Sequence, residues 1–155
     1  MKLSTRGDYA VRALLELATE TEAEGYMPLG TLAERTGIPP KYLEQILMRL
    51  RTRRVLAGKR GAHGGYALAR PAAEITVGEV VRAMDGPLAP SPCASLTAHA
   101  ACPAYRCPSE ESCVMRGLWL DVREAIADIL DHATFGDLAA REREERDARR
   151  AMYHI

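Results

Sequence analysis

Residues 29–52 read LGTLAERTGIPPKYLEQILMRLRT, and this stretch decides the fold. A short helix begins near Leu29, turns Leu32 and Ala33 inward, and stops at Gly37, since glycine readily takes the conformation that ends a helix. Ile38-Pro39-Pro40 cannot continue that helix but can open another, because proline lacks an N–H yet has a helical φ. From about Pro40 to Thr52, Leu43, Ile46, Leu47 and Leu50 share one stripe. The opposite face holds Lys41, Gln45, Met48, Arg49 and Thr52. A helix, a short turn containing glycine and a second helix with a basic outer face form a helix-turn-helix. The second helix of that motif lies in the DNA major groove.

Downstream, Val55-Leu56-Ala57 and Tyr66-Ala67-Leu68 flank the glycine-rich, basic run from Gly58 to Gly65. Two short apolar runs around such a tip predict a β-hairpin, which beside a helix-turn-helix is a wing. Arg60 at the tip suits a narrow minor groove or phosphates. A nucleotide-binding phosphate loop would instead lead into a helix and carry Lys-Ser/Thr after its last glycine. Tyr66-Ala67-Leu68 stands there, which argues against it.

Further outward, Ala10, Ala13, Leu14 and Leu17 predict a first helix from about Thr5, as its N-cap, to Ala18, followed by an exposed acidic loop over 19–25. Thr76 as N-cap, Glu79 three residues later, and the pair Ile75 and Val80 open another helix that ends near Asp85-Gly86-Pro87. Residues 87–112 have no apolar periodicity and are rich in Pro, Ser, Ala and Cys; irregular loops this long inside a compact domain are usually functional. From Val114 to Ala133 a long helix carries Leu118, Val122, Ala125 and Ile129 on one stripe, with Ile126 and Leu130 beside it. That stripe, together with Ile126, is long enough to pair with its own copy in a two-fold dimer. The mixed charges of 137–150 read as a solvated or frayed helix. The expected architecture is mainly α: a winged helix-turn-helix over 1–86, a cysteine-rich loop over 87–113, and a dimerisation helix with a charged tail over 114–155.

The net charge is zero, but residues 1–70 hold 12 Lys/Arg against 7 Asp/Glu while 71–155 hold 9 against 14. Within 41–60 seven basic residues face one acid, Glu44. A basic stripe of this kind is the electrostatic footprint of a phosphate-backbone binder. No run approaches the roughly 20 apolar residues of a membrane span, and the charged start MKLSTRGDYAVRALLELA is no signal peptide. The expected location is the cytoplasm, where thiols stay reduced and cysteines serve as ligands or sensors. The four histidines are scattered and no nucleophile–base pair is evident, so the chain is not expected to be an enzyme.

All four cysteines, Cys93, Cys102, Cys107 and Cys113, fall within the one irregular loop and the mouth of the long helix, with eight, four and five residues between them. Three chemistries suit thiols gathered this way. They can hold an iron–sulfur cluster, act as a thiol–disulfide switch, or bind zinc, although the tight CxxC pairs usual for zinc are missing. Cys113 stands at a helix start, where the dipole favours thiolate in any of the three.

Several of these stretches, in this order, resemble the IscR/NsrR family of winged-helix transcription regulators, along the chain to about residue 140. They are MKLSTRGDYAVRALLELA, Ile38–Gln45 with Tyr42-Leu43-Glu44-Gln45, Arg60–Tyr66, Ile75–Val80, the cysteine loop, and Trp119 six residues after Cys113. The resemblance implies a homodimer on a partly palindromic double-stranded operator, with DNA affinity controlled by an iron–sulfur cluster of two or four irons. It also implies that Cys93, Cys107 and Cys113 are ligands. Asp8 or Cys102 would be the fourth, since Arg116 stands where some members have a ligating histidine. Asp8 equally suits a helix start. Lys41, Tyr42, Glu44, Gln45, Arg49, Arg60 and His63 are the expected DNA contacts. Gln45 and Glu44 are the better base readers, and Lys41, Arg49 and Arg60 the phosphate or groove contacts. A cluster-free regulator switched by a disulfide or a small ligand is the alternative expectation.

Overall fold

The computed structural model describes residues 3–20, 25–61, 63–102 and 109–152. Helix α1 (Thr5–Glu20), α2 (Leu29–Thr36) and α3 (Pro40–Thr52) precede the hairpin β1 (Leu56–Lys59) and β2 (Gly65–Leu68). Helices α4 (Val77–Asp85), α5 (Val114–His132) and α6 (Phe135–Met152) follow. The core is built from the stripes that the periodicity marks: Leu14 and Leu17 of α1, Leu32 of α2, Leu43, Ile46, Leu47 and Leu50 of α3, and Val80 of α4, all essentially buried. Three-helix packing of this kind fixes the α2–α3 angle, and therefore which face of α3 is left outside.

The local chemistry explains the boundaries. Gly37 takes φ 67°, a left-handed conformation that ends α2, and Pro40 occupies the first turn of α3. Thr76 caps α4 by accepting the Glu79 N–H at 3.1 Å. The cap of α1 differs from the expectation: Ser4, not Thr5, accepts the Gly7 N–H at 3.0 Å. Asp85 at the end of α4 then accepts the Ser4 N–H at 2.8 Å, which ties the two helix ends together. Helix α1 also runs to Glu20, so Thr19, expected in an exposed loop, is buried.

The hairpin is antiparallel, with Leu56 opposite Leu68 and Lys59 opposite Gly65. Val55, expected in the first strand, is instead a fully buried core residue just before it. Met27 and Tyr66 exchange N–H···O bonds of 2.9 Å, which pins the wing to the segment entering α2. Glycine is required at position 65 because a Cβ there would fall on the Met27 carbonyl.

The charged tail is the main correction. It is helical as expected, but it packs against α1, and Phe135, fully buried, and Ala139 join the core. Arg143 donates to the Ala18 and Thr19 carbonyls at 2.9 and 3.1 Å, satisfying acceptors that a helix end leaves open. Arg146 reaches Glu16, Glu20 and Glu142 at 3.0, 2.5 and 2.9 Å, and Arg35 of α2 joins Glu16 and Glu20 from the other side. Burial pulls the Glu20 carboxyl upward, but the Arg146 and Arg35 contacts outweigh it and hold its pKa below the usual value. Val77 N–H to Ala133 O and Phe135 N–H to Ile75 O, both 2.9 Å, fasten the α5–α6 junction to the start of α4.

Candidate nucleic-acid interface and cysteine loop

Because Leu43, Ile46, Leu47 and Leu50 point into the core, the rest of α3 is turned to solvent. Lys41, Tyr42, Glu44, Gln45 and Arg49 are all exposed, as are Arg60 and His63 on the wing. The structure therefore places every one of the expected DNA contacts on the surface of α3 and the hairpin. Tyr42 also has an internal role: its ring meets Tyr9 of α1 edge-on, with centroids 5.7 Å apart at 84°. Between α3 and the wing lies a concavity lined by Glu44, Met48, Arg51, Lys59 and Arg60. Met48, Arg51 and Lys59 were not singled out as contacts from the sequence. Their signal was the i, i+4 and i+7 spacing from Glu44 and the position of Lys59 beside Arg60.

Electrostatically this surface concentrates cations that carboxylates do not neutralise. Lys41, Arg49, Arg51, Arg53, Arg54 and Arg60 have no carboxylate partner among the described residues, whereas Arg35, Arg70, Arg82, Arg123 and Arg146 each have one within 3.0 Å. Unneutralised cations spaced along a helix and an adjoining hairpin are what a polyanion requires.

The cysteine loop is anchored on α5. Cys93 sits in a short 3-10 turn (Pro92–Ala94) and is 6% exposed. Arg116 Nε donates to the Cys93 carbonyl at 3.0 Å, and Arg123, two turns further along α5, donates to the Ala94 carbonyl at 3.1 Å. The position that some relatives of the resembling family fill with histidine is thus a structural clamp on the first cysteine turn. Ser91 Oγ lies 3.2 Å from Cys93 Sγ. Across the loop, His99 Nε2 meets Glu110 at 2.9 Å, and Glu110 also faces Arg116 at 3.7 Å. Cys113 is the N-cap of α5. Cys93, Cys102 and Cys113 are all free thiols, while Cys107 lies outside the described residues.

These donors fit a thiolate-held group in their chemistry: three free thiols, one at a helix N-terminus, with a guanidinium alongside. Among the described residues, however, no three of His, Cys, Asp and Glu come close enough together to hold a metal ion. Asp8 is not drawn to the cysteines as part of such a set. It lies in the first turn of α1, paired with Arg12 at 2.9 Å, the arrangement that stabilises a helix start.

Helix α5 buries no residue completely. Leu118 is 49% and Ile129 68% exposed, Ala125 is exposed and Val122 half-buried, which leaves the predicted stripe open on one side. Ile126, expected to join that pairing, is partly buried and packs with Leu130 against its own chain's core. Ile126 follows Ala125 by about 100° of helical rotation, so the two do not share one direction. Arg82 of α4 grips Asp131 of α5 with two bonds of 2.5 and 2.8 Å. The Arg82 hydrogen bond holds the Asp131 carboxyl below the usual carboxylate range. Gly78 lets this pair cross α4, because a Cβ there would fall on the Asp131 carboxylate. No helix among the described residues is long and apolar enough to cross a membrane.

Comparison with known proteins places these features. The chain is 36% identical over 138 residues to the HTH-type transcriptional regulator IscR of Cronobacter sakazakii, covering 89% of this chain and 80% of that protein. The IscR of Escherichia coli K12 matches to the same extent. Among solved structures, CymR of B. subtilis, described as the global cysteine regulator, superposes with a TM-score of 0.73 at 31% identity, covering 90% of this chain and 97% of that one. IscR of T. potens superposes with a TM-score of 0.71, also at 31% identity, over 94% and 90%. These relatives regulate transcription and are not enzymes. The sequence model of the Rrf2 family, described as an iron-dependent transcriptional regulator, matches residues 3–141, and together with the winged helix-turn-helix this shows that the chain belongs to the Rrf2 family of transcription regulators.

Proposed function

We propose that the chain is a homodimeric repressor that binds a partly palindromic DNA operator through α3 and the wing, with an iron–sulfur cluster in the cysteine loop setting its affinity. The observation that carries this reading is the placement of the cysteine turn: Arg116 holds the Cys93 carbonyl and Arg123 the Ala94 carbonyl on the same helix whose N-cap is Cys113. Cys93, Cys107 and Cys113 would hold the cluster, with Asp8 or Cys102 as the fourth ligand. Held there, the cluster would supply reversible redox and nitric-oxide chemistry. The chain's own residues carry the consequence. The clamp joins the loop to α5, and Arg82–Asp131 joins α5 to α4 of the DNA-binding domain. The open stripe of Leu118, Val122, Ala125 and Ile129 pairs two copies. Their α3 helices must then sit about one DNA turn apart to bind two half-sites, so a change in loop arrangement shifts the population of binding-competent dimers. Gln45 and Glu44 read bases, and Lys41, Tyr42, Arg49, Arg60 and His63 position the backbone.

The test is the visible absorption spectrum of anaerobically purified protein, with iron and acid-labile sulfide counted per chain. Absorption in the range of about 300–450 nm with stoichiometric iron and sulfide supports the cluster. Substitutions at Asp8 and Cys102 then identify the fourth ligand. A colourless protein without iron or sulfide after reconstitution removes the cluster from the proposal and leaves the DNA-binding reading intact.

A second reading is favoured by a separate observation. CymR, whose S. aureus form has been solved oxidised, shares this architecture at 31% identity and a TM-score of 0.67, and the described thiols here are free and unevenly exposed. On that reading Cys102 and Cys113 react first with oxidant, while Cys93 is withheld by its burial. Mass-spectrometric mapping of alkylation in the metal-free protein tests it: labelling of Cys93 as fast as the other two would sink the idea.

A further inference from the structure

Behind the wing, at its base, a second concavity of about 610 Å³ is lined by Arg51, Arg53, Arg54 and Arg70, with Glu79 at its edge. Arg51 lines both this concavity and the one between α3 and the wing. The carboxylate at its edge is already committed: Arg70 holds Glu79 with two bonds of 2.6 and 2.8 Å. Arg51, Arg53 and Arg54 are exposed and have no carboxylate partner among the described residues.

The backbone adds a second observation. Arg54 has φ 59°, the one non-glycine residue with positive φ among those described. It ends α3, with its N–H on the Arg51 carbonyl at 2.9 Å and the Val55 N–H on Leu50 at 3.0 Å. Glycine or asparagine ordinarily fills such a left-handed position, and an arginine there costs on the order of 1 kcal/mol. A cation kept at a strained position beside two other unpaired cations is explained by a ligand for its charge. Stabilising the negative end of α3 would need neither the strain nor three arginines.

We propose that Arg51, Arg53 and Arg54 form a second phosphate clamp, which grips the DNA backbone bordering the stretch contacted by α3 and the wing. This rests on the DNA-binding reading above and extends the interface to a surface that α3 and the wing tip do not cover. Contacts of this type carry no sequence information; they add affinity and salt dependence.

The experiment uses the full chain and a fluorescent mixed-sequence duplex several helical turns long, titrated at a series of salt concentrations. The Arg53→Gln/Arg54→Asn variant removes two cations while asparagine keeps the left-handed turn. The slope of log affinity against log salt should fall by about 0.9 for each contact removed. The affinity lost between about 50 and about 200 mM salt then shrinks about tenfold per protomer. The Arg53→Lys variant should retain the wild-type slope, and melting temperatures should agree across the set. An unchanged slope in a folded variant overturns the clamp, and a lowered melting temperature with unchanged slope assigns the arginines to helix capping. Pyrophosphate binding to wild type but not to the variant, with the DNA slope unchanged, assigns the concavity to a free phosphate ligand and also overturns it. Wild-type chain that fails to bind the duplex at low salt refutes the DNA-binding reading itself, a different result from losing the clamp alone.

Discussion

The two ends of this molecule use the same residue type for opposite purposes. Where α1, α2 and α6 meet, arginines are consumed internally: Arg146 and Arg35 share Glu16 and Glu20, and Arg143 closes the carbonyl end of α1. Along α3 and the wing, Lys41, Arg49, Arg51, Arg53, Arg54 and Arg60 are exposed and have no carboxylate partner among the described residues. Paired guanidinium groups fix the position of helices and contribute little to the field outside. Unpaired ones leave a local potential that draws in phosphates and releases counterions when it binds them. The composition alone, 21 basic against 21 acidic residues, would have hidden this division.

The largest test of the contrast is at the structural end. Phe135→Ala removes a fully buried ring that ties the start of α6 into the core, and should cost about 3–5 kcal/mol in chemical denaturation. A loss under about 1 kcal/mol would mean that α6 is not part of the core. Next, Leu118→Glu with Ile129→Glu places charge on the open stripe of α5 and should weaken dimerisation by about 2 kcal/mol or more per protomer. Sedimentation velocity reads the outcome, and a persistent dimer would move the interface elsewhere on the chain.

A pair of single changes sharpens the comparison directly. Arg146→Ala should lower stability by about 1–2 kcal/mol, because it leaves the buried Glu16 short of a partner, and should leave the salt dependence of DNA binding unchanged. Arg49→Ala should do the reverse, with stability within about 0.5 kcal/mol of wild type and a salt slope reduced by about 0.9. If both variants behave alike, the division of labour fails. The smallest effect concerns acid. The folded-state pKa values of Asp131 and Glu20 are depressed, so their contribution is present above the unfolded carboxylate value of about 4 and is lost as pH falls through the lower folded value. For the half-exposed Arg82–Asp131 pair this amounts to less than about 1 kcal/mol. An Asp131→Asn variant should therefore lose less stability than wild type between pH 7 and pH 3, and equal losses would show that the pair contributes nothing.

Much of this was readable in the chain itself. The stripe of Leu43, Ile46, Leu47 and Leu50 settles which side of α3 is buried, and so exposes Gln45 and Arg49 by geometry alone. Glycine and proline punctuation places α2, α3 and the hairpin within a residue or two. The misses share a cause. Ser4 displaces Thr5 as a cap because Asp85, 81 positions away, receives its N–H. The tail looked solvated because its apolar anchors are only Phe135, Leu138 and Ala139, a pattern too sparse to show a helical face. Ile126 joins its own chain's core rather than the expected pairing, because two adjacent apolar residues leave the helical phase undecided until a neighbour packs against one of them.

Local period and local charge already specify the helix-turn-helix, the wing, the basic face on α3, and the gathering of four thiols in one loop. Tertiary structure alone decided which cations are neutralised, that Arg116 and Arg123 clamp the Cys93 turn to α5, and that α6 belongs to the core. The reason is one of range. Helical periodicity and capping act over three or four residues, whereas an ion pair or a side-chain clamp is set by which distant residues the packed core brings within about 3 Å.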